Sequence, residues 1–195
     1  MLGLINRSLQ CFLHETYGAN TWADVAVIAG CEHVEFEAML TYPDEITENL
    51  IQGAATILRR PRETILEDLG TYLVSNPSVE AVRRLLRFGG ATFVDLLHSM
   101  EDLQARGRLA VPDLELPEIE LQELTSESFV LSCVYPILGT GHVLVGLLRA
   151  MADDYGALVL LEHAGHEDSH DRLSVQLLDQ SYAEGRHFEL ALSTG

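Results

Sequence analysis

A group of histidines and carboxylates near the C-terminal end has the side-chain types of a metal site. The stretch HAGHEDSH supplies His163, His166, His170, Glu167, Asp168 and Asp171. Imidazole and carboxylate groups suit zinc or another divalent transition metal. The same stretch lies between two strand-like runs, where polar residues and a glycine make a surface hairpin loop. We favour the loop and keep metal binding as the alternative.

The cysteines give little indication of metal or redox chemistry. The three cysteines, Cys11, Cys31 and Cys133, contain no CxxC pair and cannot form a disulfide framework. Cys133 lies in an apolar run without a basic neighbour that would lower the pKa of its thiol. We expect a buried structural cysteine there, and a thiolate ligand or redox sensor is the alternative.

The sequence carries no recognisable catalytic motif. It contains no nucleophile elbow, P-loop, GxGxxG or pair of zinc-hydrolase histidines. The short stretches GGAT and GTGH lack the strand-loop-helix spacing of a phosphate-binding site. We therefore expect that the chain is not an enzyme.

The first half of the chain has the periodicity of helices. From Met1 to about Arg108, apolar residues recur at intervals of three and four. Predicted helix boundaries fall at glycines, prolines and capping residues, namely Gly18, Asn20, Thr21, Gly30, Pro43, Asp44 and Pro61. This half should be nearly all helical.

From about Val111 the pattern changes to strands around one helix. SFVLSCVYPI and ALVLLEHA predict strands, and HVLVGLLRAMADDYG between them has the apolar face of a helix that Gly156 would end. RLSVQLLD and HFELAL predict two further strands in hairpin order. The fold class is α+β, and without a long linker the two halves should share a core.

The composition is that of a folded globular protein. Of 195 residues, 47% are apolar and 22% are charged. The formal net charge of -18 opposes binding to nucleic-acid phosphates and to anionic membrane surfaces. No apolar run approaches the roughly 20 residues of a membrane span, and charges interrupt any signal sequence at the start. We expect a cytoplasmic protein that binds neither nucleic acid nor membrane.

Several short motifs follow one another along nearly the whole chain. They are MLGLINRSL, Tyr17-Gly18 with Trp22, YPDE at 42–45, LxxLG at 66–70, LLRFGGATFVDLLHSMEDL, the spaced Pro112 and Pro117, and HVLVGLLRAMADDYG. In their order and spacing the chain resembles the H-NOX (HNOB) family. These are heme nitric oxide/oxygen binding domains, found as bacterial sensors and at the amino terminus of the soluble guanylate cyclase β subunit.

The resemblance implies a helical N-terminal subdomain packed on an α/β subdomain with an antiparallel sheet. Residues 1–195 would form one domain, with a mainly helical distal subdomain over 1–60 and the helices and sheet of the other over 61–195. In the family the two subdomains clamp heme b. The sequence ends soon after the last predicted strand, so we expect a separate signalling partner such as a histidine kinase or cyclase.

In the family an axial histidine follows a stretch that resembles MEDL, and this position is Gln104 here. Gln104 lies four residues after Met100 and seven after Leu97, so helical periodicity predicts that it faces the pocket. A neutral amide oxygen is a poor ligand for iron beside an imidazole nitrogen. The resemblance places the axial ligand at position 104, but glutamine lacks the imidazole nitrogen that would bind iron.

The family's Tyr-x-Ser-x-Arg motif, which holds the heme propionates, corresponds to Cys133, Tyr135 and Ile137 when VGLL is the anchor. Ile137 lacks the bidentate, permanently charged guanidinium, and Pro136 removes a backbone donor. Tyr135 offers a phenol, but strand alternation disfavours a bond to iron. The loss of both heme contacts predicts a heme-independent or weakly heme-binding domain.

His98 is the nearest histidine to the vacant ligand position and is the alternative axial ligand. It lies six residues before Gln104, a turn of about 600 degrees, which leaves it about 120 degrees away around an α-helix. His98 could reach iron only if the helix rotated or broke. We favour a solvated His98.

By resemblance, the opposite wall of the pocket is nearly all apolar and consists of Ile5, Leu9, Leu73, Thr140 and Val143. Such a wall lacks a polar donor for oxygen, so a heme bound there would favour nitric oxide. We predict a sensory domain with an apolar interdomain pocket that works without heme. The alternatives are a nitric oxide sensor with a non-standard axial ligand and a scaffold without any small ligand.

Overall fold

Eight α-helices and four strands form the part of the chain that the computed structural model describes, residues 1–31, 35–167 and 170–186. The helices are α1 (Gly3–Tyr17), α2 (Ala19–Ile28), α3 (Asp44–Leu58), α4 (Arg62–Ser75), α5 (Glu80–Arg87), α6 (Phe93–Ser99), α7 (Leu103–Ala110) and α8 (Thr140–Tyr155). Short 3₁₀ turns at Pro77–Val79 and Met100–Asp102 precede α5 and α7. Within these ranges no helix is both long and apolar enough to cross a bilayer.

The helix boundaries follow local sequence signals. Gly18 ends α1 with a φ of 94°, which favours glycine, and Pro43 and Pro61 immediately precede α3 and α4. The predicted capping role of Asn20 and Thr21 is wrong, because α2 already begins at Ala19. The Thr21 hydroxyl instead donates to the Tyr17 carbonyl oxygen at 2.9 Å, a back-bond that continues the helical turn.

The strands are β1 (Glu118–Thr125), β2 (Ser128–Val134), β3 (Leu158–Glu167) and β4 (His170–Asp179). They form one antiparallel sheet in the order β1-β2-β4-β3. Leu131 of β2 pairs with Leu121 of β1 and Leu173 of β4, which fixes the buried face. The α+β class with an antiparallel sheet is therefore confirmed.

The sheet differs from the sequence prediction in its pairing. The RLSVQLLD strand pairs in a hairpin with β3, and the predicted HFELAL strand lies outside the described residues. The surface-loop prediction for HAGHEDSH is wrong for His163 to Glu167, which belong to β3, and for His170, which begins β4, while Asp168 and Ser169 lie outside the described residues. β-Strands extend into polar sequence wherever a partner strand satisfies their backbone groups, and β4 supplies that partner here.

Two apolar clusters make up the core. One lies among α1 to α4 and includes Phe12 and Ile51, and the other lies among α5 to α8 and the sheet and includes Phe93 and Phe129. Helices α4 and α8 cross closely, since a Cβ at Gly146 would lie 1.9 Å from the carbonyl oxygen of Glu67. The assignment of 1–60 and 61–195 to two subdomains stays a prediction.

Candidate functional site

An apolar cavity of about 220 Å³ lies between the two core clusters. Side chains of α1, α3, α4, α5, α7 and α8 form its wall, together with residues of the segments 114–117 and 135–137. The helical cluster contributes Leu9 and Leu66, and the sheet-side cluster contributes Leu103 and Leu144. The cavity therefore touches every α-helix except α2 and α6 within the described residues.

Most of the residues that the sequence assigned to a pocket line this cavity. They are Ile5, Leu9, Leu73, Tyr135, Ile137, Thr140 and Val143. Gln104 and Cys133 do not line it, so the structure differs from the prediction at these two positions. The residues predicted for the gas-binding wall and the residues predicted for the propionate side, Tyr135 and Ile137, thus line the same cavity.

Gln104 is half-buried beside the cavity rather than in its wall. Its side-chain Nε2 donates to the Leu116 carbonyl oxygen at 3.3 Å, while the preceding residue, Leu103, faces the cavity. Leu97 and Met100, from which the sequence prediction counted, are themselves buried in the sheet-side cluster and do not line the cavity. Sharing their helical stripe therefore does not place Gln104 in the cavity wall.

Cys133 lies on the buried face of β2, next to the sheet partner Asp171. Burial, followed by the charge of Asp171, raises the pKa of the thiol to about 12. Its side chain is only 2% exposed, which agrees with the expected buried structural cysteine. Strand alternation directs Cys133 into the sheet core, and the chain reaches the cavity only after β2 ends at Val134.

His98 lies on the exposed side of α6 and away from the cavity lining. Its Nε2 is 3.5 Å from Glu123 Oε2, and its ring meets Phe129 edge-on with centroids 6.2 Å apart. Both neighbours belong to the sheet side of the molecule. The alternative role of His98 as an axial ligand therefore has no geometric support, and the favoured solvated reading agrees with this position.

Tyr135 carries the phenol of the cavity wall, but its hydroxyl is engaged within the protein. The hydroxyl lies 3.1 Å from the Glu115 carbonyl oxygen, to which it donates, and 3.0 Å from the Met1 sulfur. Burial raises the pKa of Tyr135 to about 12, and the charges of Glu115 and Asp44 act in the same direction. Phenolate, the form that ligates iron, is thus disfavoured at neutral pH.

Ile137 is 5% exposed and packs with the helical cluster. No arginine lines the cavity within the described residues. Arg62, which lies close in space to the following residue, donates to the Leu138 carbonyl oxygen at 2.9 Å and pairs with Glu48 at 2.8 Å. Ile137, where the resemblance predicted the family's propionate-binding arginine, is therefore part of an apolar core.

The histidine and carboxylate group at the β3–β4 hairpin gathers around Asp171. His163 Nε2 and His166 Nδ1 lie 3.2 and 3.0 Å from Asp171 Oδ1, and the Gly141 backbone N–H donates to Oδ2 at 2.8 Å. The His163 ring also stacks on His142, with centroids 4.1 Å apart. Burial raises the pKa of Asp171, but these hydrogen bonds outweigh it and the pKa lies below its ordinary value.

This group links the start of α8 to the hairpin. Across the described ranges, no three histidine, cysteine or carboxylate side chains are arranged to hold a metal ion. The Asp171 carboxylate already accepts hydrogen bonds on both oxygens. The metal-binding alternative for His163, His166 and His170 therefore has no support in this arrangement.

Sequence reasoning missed a large share of the cavity wall. The missed residues come from every helix of the wall and from the segment after α7, and include Thr47, Ile51, Val82, Leu85, Leu114 and Leu116. Leu66 and Leu69 lie seven and four residues before Leu73, so the helical stripe of α4 contained a usable signal. The other helices meet the cavity through tertiary packing, which periodicity does not specify.

The cavity does not suit heme b in size or chemistry. Its volume of about 220 Å³ is below the range of about 300–1,000 Å³ typical of pockets for drug-sized ligands. Among the described residues, its wall contains no histidine, cysteine, methionine or arginine. The ligands that normally fix heme iron are thus missing, apart from the engaged phenol of Tyr135.

Comparison with solved structures identifies the fold class. An H-NOX protein from S. oneidensis in the Fe(II) state superposes with a TM-score of 0.78 at 18% identity, covering 92% of this chain and 97% of that chain. The unliganded Fe(II) H-NOX protein from K. algicida gives a TM-score of 0.73 at 18% identity, covering 97% and 100%. The architecture is that of an H-NOX domain.

Sequence comparison places the chain in a family. The Haem-NO-binding (HNOB) family model matches residues 2–163, and the chain belongs to this family of sensor domains. Soluble guanylate cyclase 89Db of Drosophila melanogaster is 22% identical over 158 residues, which are 81% of this chain and 24% of that protein. The chain spans about a quarter of the length of the curated relatives it matches.

Proposed function

We propose that this chain is an H-NOX sensory domain that works without heme and uses the apolar cavity as its ligand site. The observation that carries the proposal is the chemistry of the wall, which among the described residues offers no iron ligand other than the engaged phenol of Tyr135 and no cation for propionates. Gln104 at the axial position and Ile137 at the arginine position support it independently.

The visible absorption spectrum tests this proposal. Protein purified from heme-supplemented cells, with and without added hemin and nitric oxide, should show no stoichiometric Soret band. A sharp Soret band with one heme per chain, shifting with nitric oxide, would refute heme independence.

A paired substitution tests the assigned ligand position. Gln104→His should increase hemin uptake over the parent, because it supplies an imidazole at the position of the family's axial histidine. Ala105→His is the matched control, since Ala105 is the exposed neighbour on the same helix. Equal hemin uptake by the two variants would show that Gln104 is not the ligand position.

The second candidate function is a heme-based nitric oxide sensor with a non-standard axial ligand. The match of residues 2–163 to a family named for haem and nitric oxide binding favours it. If the parent shows a Soret band, Tyr135→Phe and His98→Gln identify the ligand. Loss of the band in one of them assigns that residue.

We further propose that the domain acts in the cytoplasm and regulates a signalling protein such as a cyclase or a histidine kinase. The relatives with a cyclase name support a cyclase partner. Among the described residues, Cys11 and Cys133 form no disulfide, which suits a reducing compartment. Co-purification with a candidate cyclase or kinase, in a ligand-dependent amount, tests the partnership.

A further inference from the structure

The hydroxyl groups in the cavity wall are all engaged with protein acceptors. Ser8 Oγ donates to the Leu4 carbonyl oxygen at 2.8 Å, and Thr140 Oγ1 donates to the Ile137 carbonyl oxygen at 2.7 Å. Each of these bonds turns the hydroxyl hydrogen towards the backbone. A ligand in the cavity meets only the remaining lone pairs of these groups.

The other two hydroxyls of the wall are engaged in the same way. Thr47 Oγ1 donates to Asn6 Oδ1 at 2.6 Å, and the Tyr135 hydroxyl donates to the Glu115 carbonyl oxygen at 3.1 Å. Asn6 Nδ2 has no hydrogen-bond partner within the described residues, but Asn6 does not line the cavity. The wall described here therefore offers no unengaged hydrogen-bond donor.

A ligand with a carbonyl, carboxylate or phosphate would lose its water hydrogen bonds on entry and gain none. Burying an unsatisfied polar group is costly, and burying an unpaired charge costs far more. Apolar groups carry no such penalty, and removal of their surface from water favours binding. The chemistry of the wall thus selects against charged and acceptor-bearing molecules.

The volume sets the size of the molecule. Apolar cavities of about 150 Å³ remain dry and bind benzene or xenon. The cavity of about 220 Å³ has room for a slightly larger compact molecule. From wall chemistry and volume, we propose that the cavity binds a small, uncharged, hydrocarbon-like molecule with the size of a single substituted ring.

This inference rests on the proposed function, because it requires a cavity that heme does not fill. The ligand would contact both apolar clusters at once, through residues such as Leu9 and Leu144. Binding to the folded chain alone would raise the melting temperature with ligand concentration.

Toluene is the probe for the test, with titration calorimetry and thermal unfolding as readouts on heme-free protein. Val143→Phe fills the cavity from its α8 wall and should weaken toluene binding at least tenfold. Val130→Phe, the same change at a half-buried position of β2 away from the cavity, should leave binding unchanged. Leu73→Phe is a second filling variant in case Val143→Phe does not fold.

Polar analogues test the selectivity. Benzaldehyde should bind at least tenfold more weakly than toluene, and benzoate should show no binding. Equal affinity for toluene and benzaldehyde, or no toluene binding by the parent, would overturn the ligand class. Toluene binding that survives both filling variants would place the site elsewhere and also overturn it.

The two proposals fail in distinguishable ways. A stoichiometric heme spectrum from the purified parent refutes heme independence, whatever toluene does. Absence of toluene binding in protein without heme refutes only the ligand class.

Discussion

The crossing of α4 and α8 depends on the absence of a side chain at Gly146, and Gly146→Ala tests how tightly it is packed. A Cβ there would lie 1.9 Å from the Glu67 carbonyl oxygen, whereas ordinary contacts begin at 3.4 Å. The two helices must therefore separate by about 1.5 Å. Gly70 on the facing helix has the same constraint, at 2.0 Å from the Val143 carbonyl oxygen.

Two opposing effects set the magnitude for Gly146→Ala. Alanine gains about 1 kcal/mol of helix propensity over glycine, and overpacking costs about 1–3 kcal/mol. The contact is with backbone, which cannot turn aside, so the upper half of that range applies. The free energy of unfolding should fall by roughly 1–2 kcal/mol, which lowers the melting temperature by about 2–8 °C for a chain of this length.

Calorimetry and urea denaturation of the full chain measure this change. Gly53→Ala in α3 is the matched control, because its Cβ would meet the Val25 carbonyl oxygen at 3.3 Å, close to an ordinary contact. Its stability should stay within about 1 kcal/mol of the parent, since the gain in helix propensity offsets a small displacement. A Gly146→Ala protein as stable as the parent would refute the close crossing.

Three further predictions concern buried polar groups. Asp154 is 1% exposed and pairs with Arg83 at 2.7 Å, so Asp154→Ala should cost about 3–5 kcal/mol in urea denaturation. The exposed neighbour variant, Asp153→Ala, should cost little. The lowered pKa of Asp171 adds stability that is present above its unfolded pKa of about 3.8 and disappears as pH falls through the folded pKa. Asp171→Asn should therefore reduce the dependence of the melting temperature on pH below about pH 4. The same pH dependence in the variant and the parent would contradict this. The thiol of Cys133, with its pKa raised to about 12, should resist iodoacetamide at pH 8 until the chain unfolds, as peptide mass spectrometry would show.

The fold was predictable where the signal is local. Glycine at a positive φ and proline before a helix are properties of one residue and its neighbours, and Gly18, Pro43 and Pro61 lie where the structure changes direction. The pairing of β4 with β2, across the intervening α8 and β3, depends on contacts distant in sequence. The pattern of RLSVQLLD predicts a strand but does not name its neighbour.

The candidate site could be predicted from the sequence where its residues also pack the helices together. Ile5, Leu9 and Val143 line the cavity because they lie on apolar stripes that any packing of these helices buries. Gln104 was misplaced because Leu97 and Met100, the residues used for counting, face the sheet-side cluster instead of the cavity. Periodicity identifies a buried stripe but does not say which of two apolar clusters the stripe faces.

The proposed heme independence gives Ile137 a packing role at the position predicted for the family's arginine. An arginine at this position would bury a charge whose partner is a heme propionate, so it is favourable only when heme is present. Isoleucine instead joins the helical cluster at 5% exposure, where burial of such a side chain contributes about 1.5–3 kcal/mol. The same position therefore stabilises the folded chain without a cofactor. Leu9, Ile137 and Val143 line the cavity and also pack in the helical cluster, so the proposed loss of heme contacts leaves in place the packing that keeps the architecture.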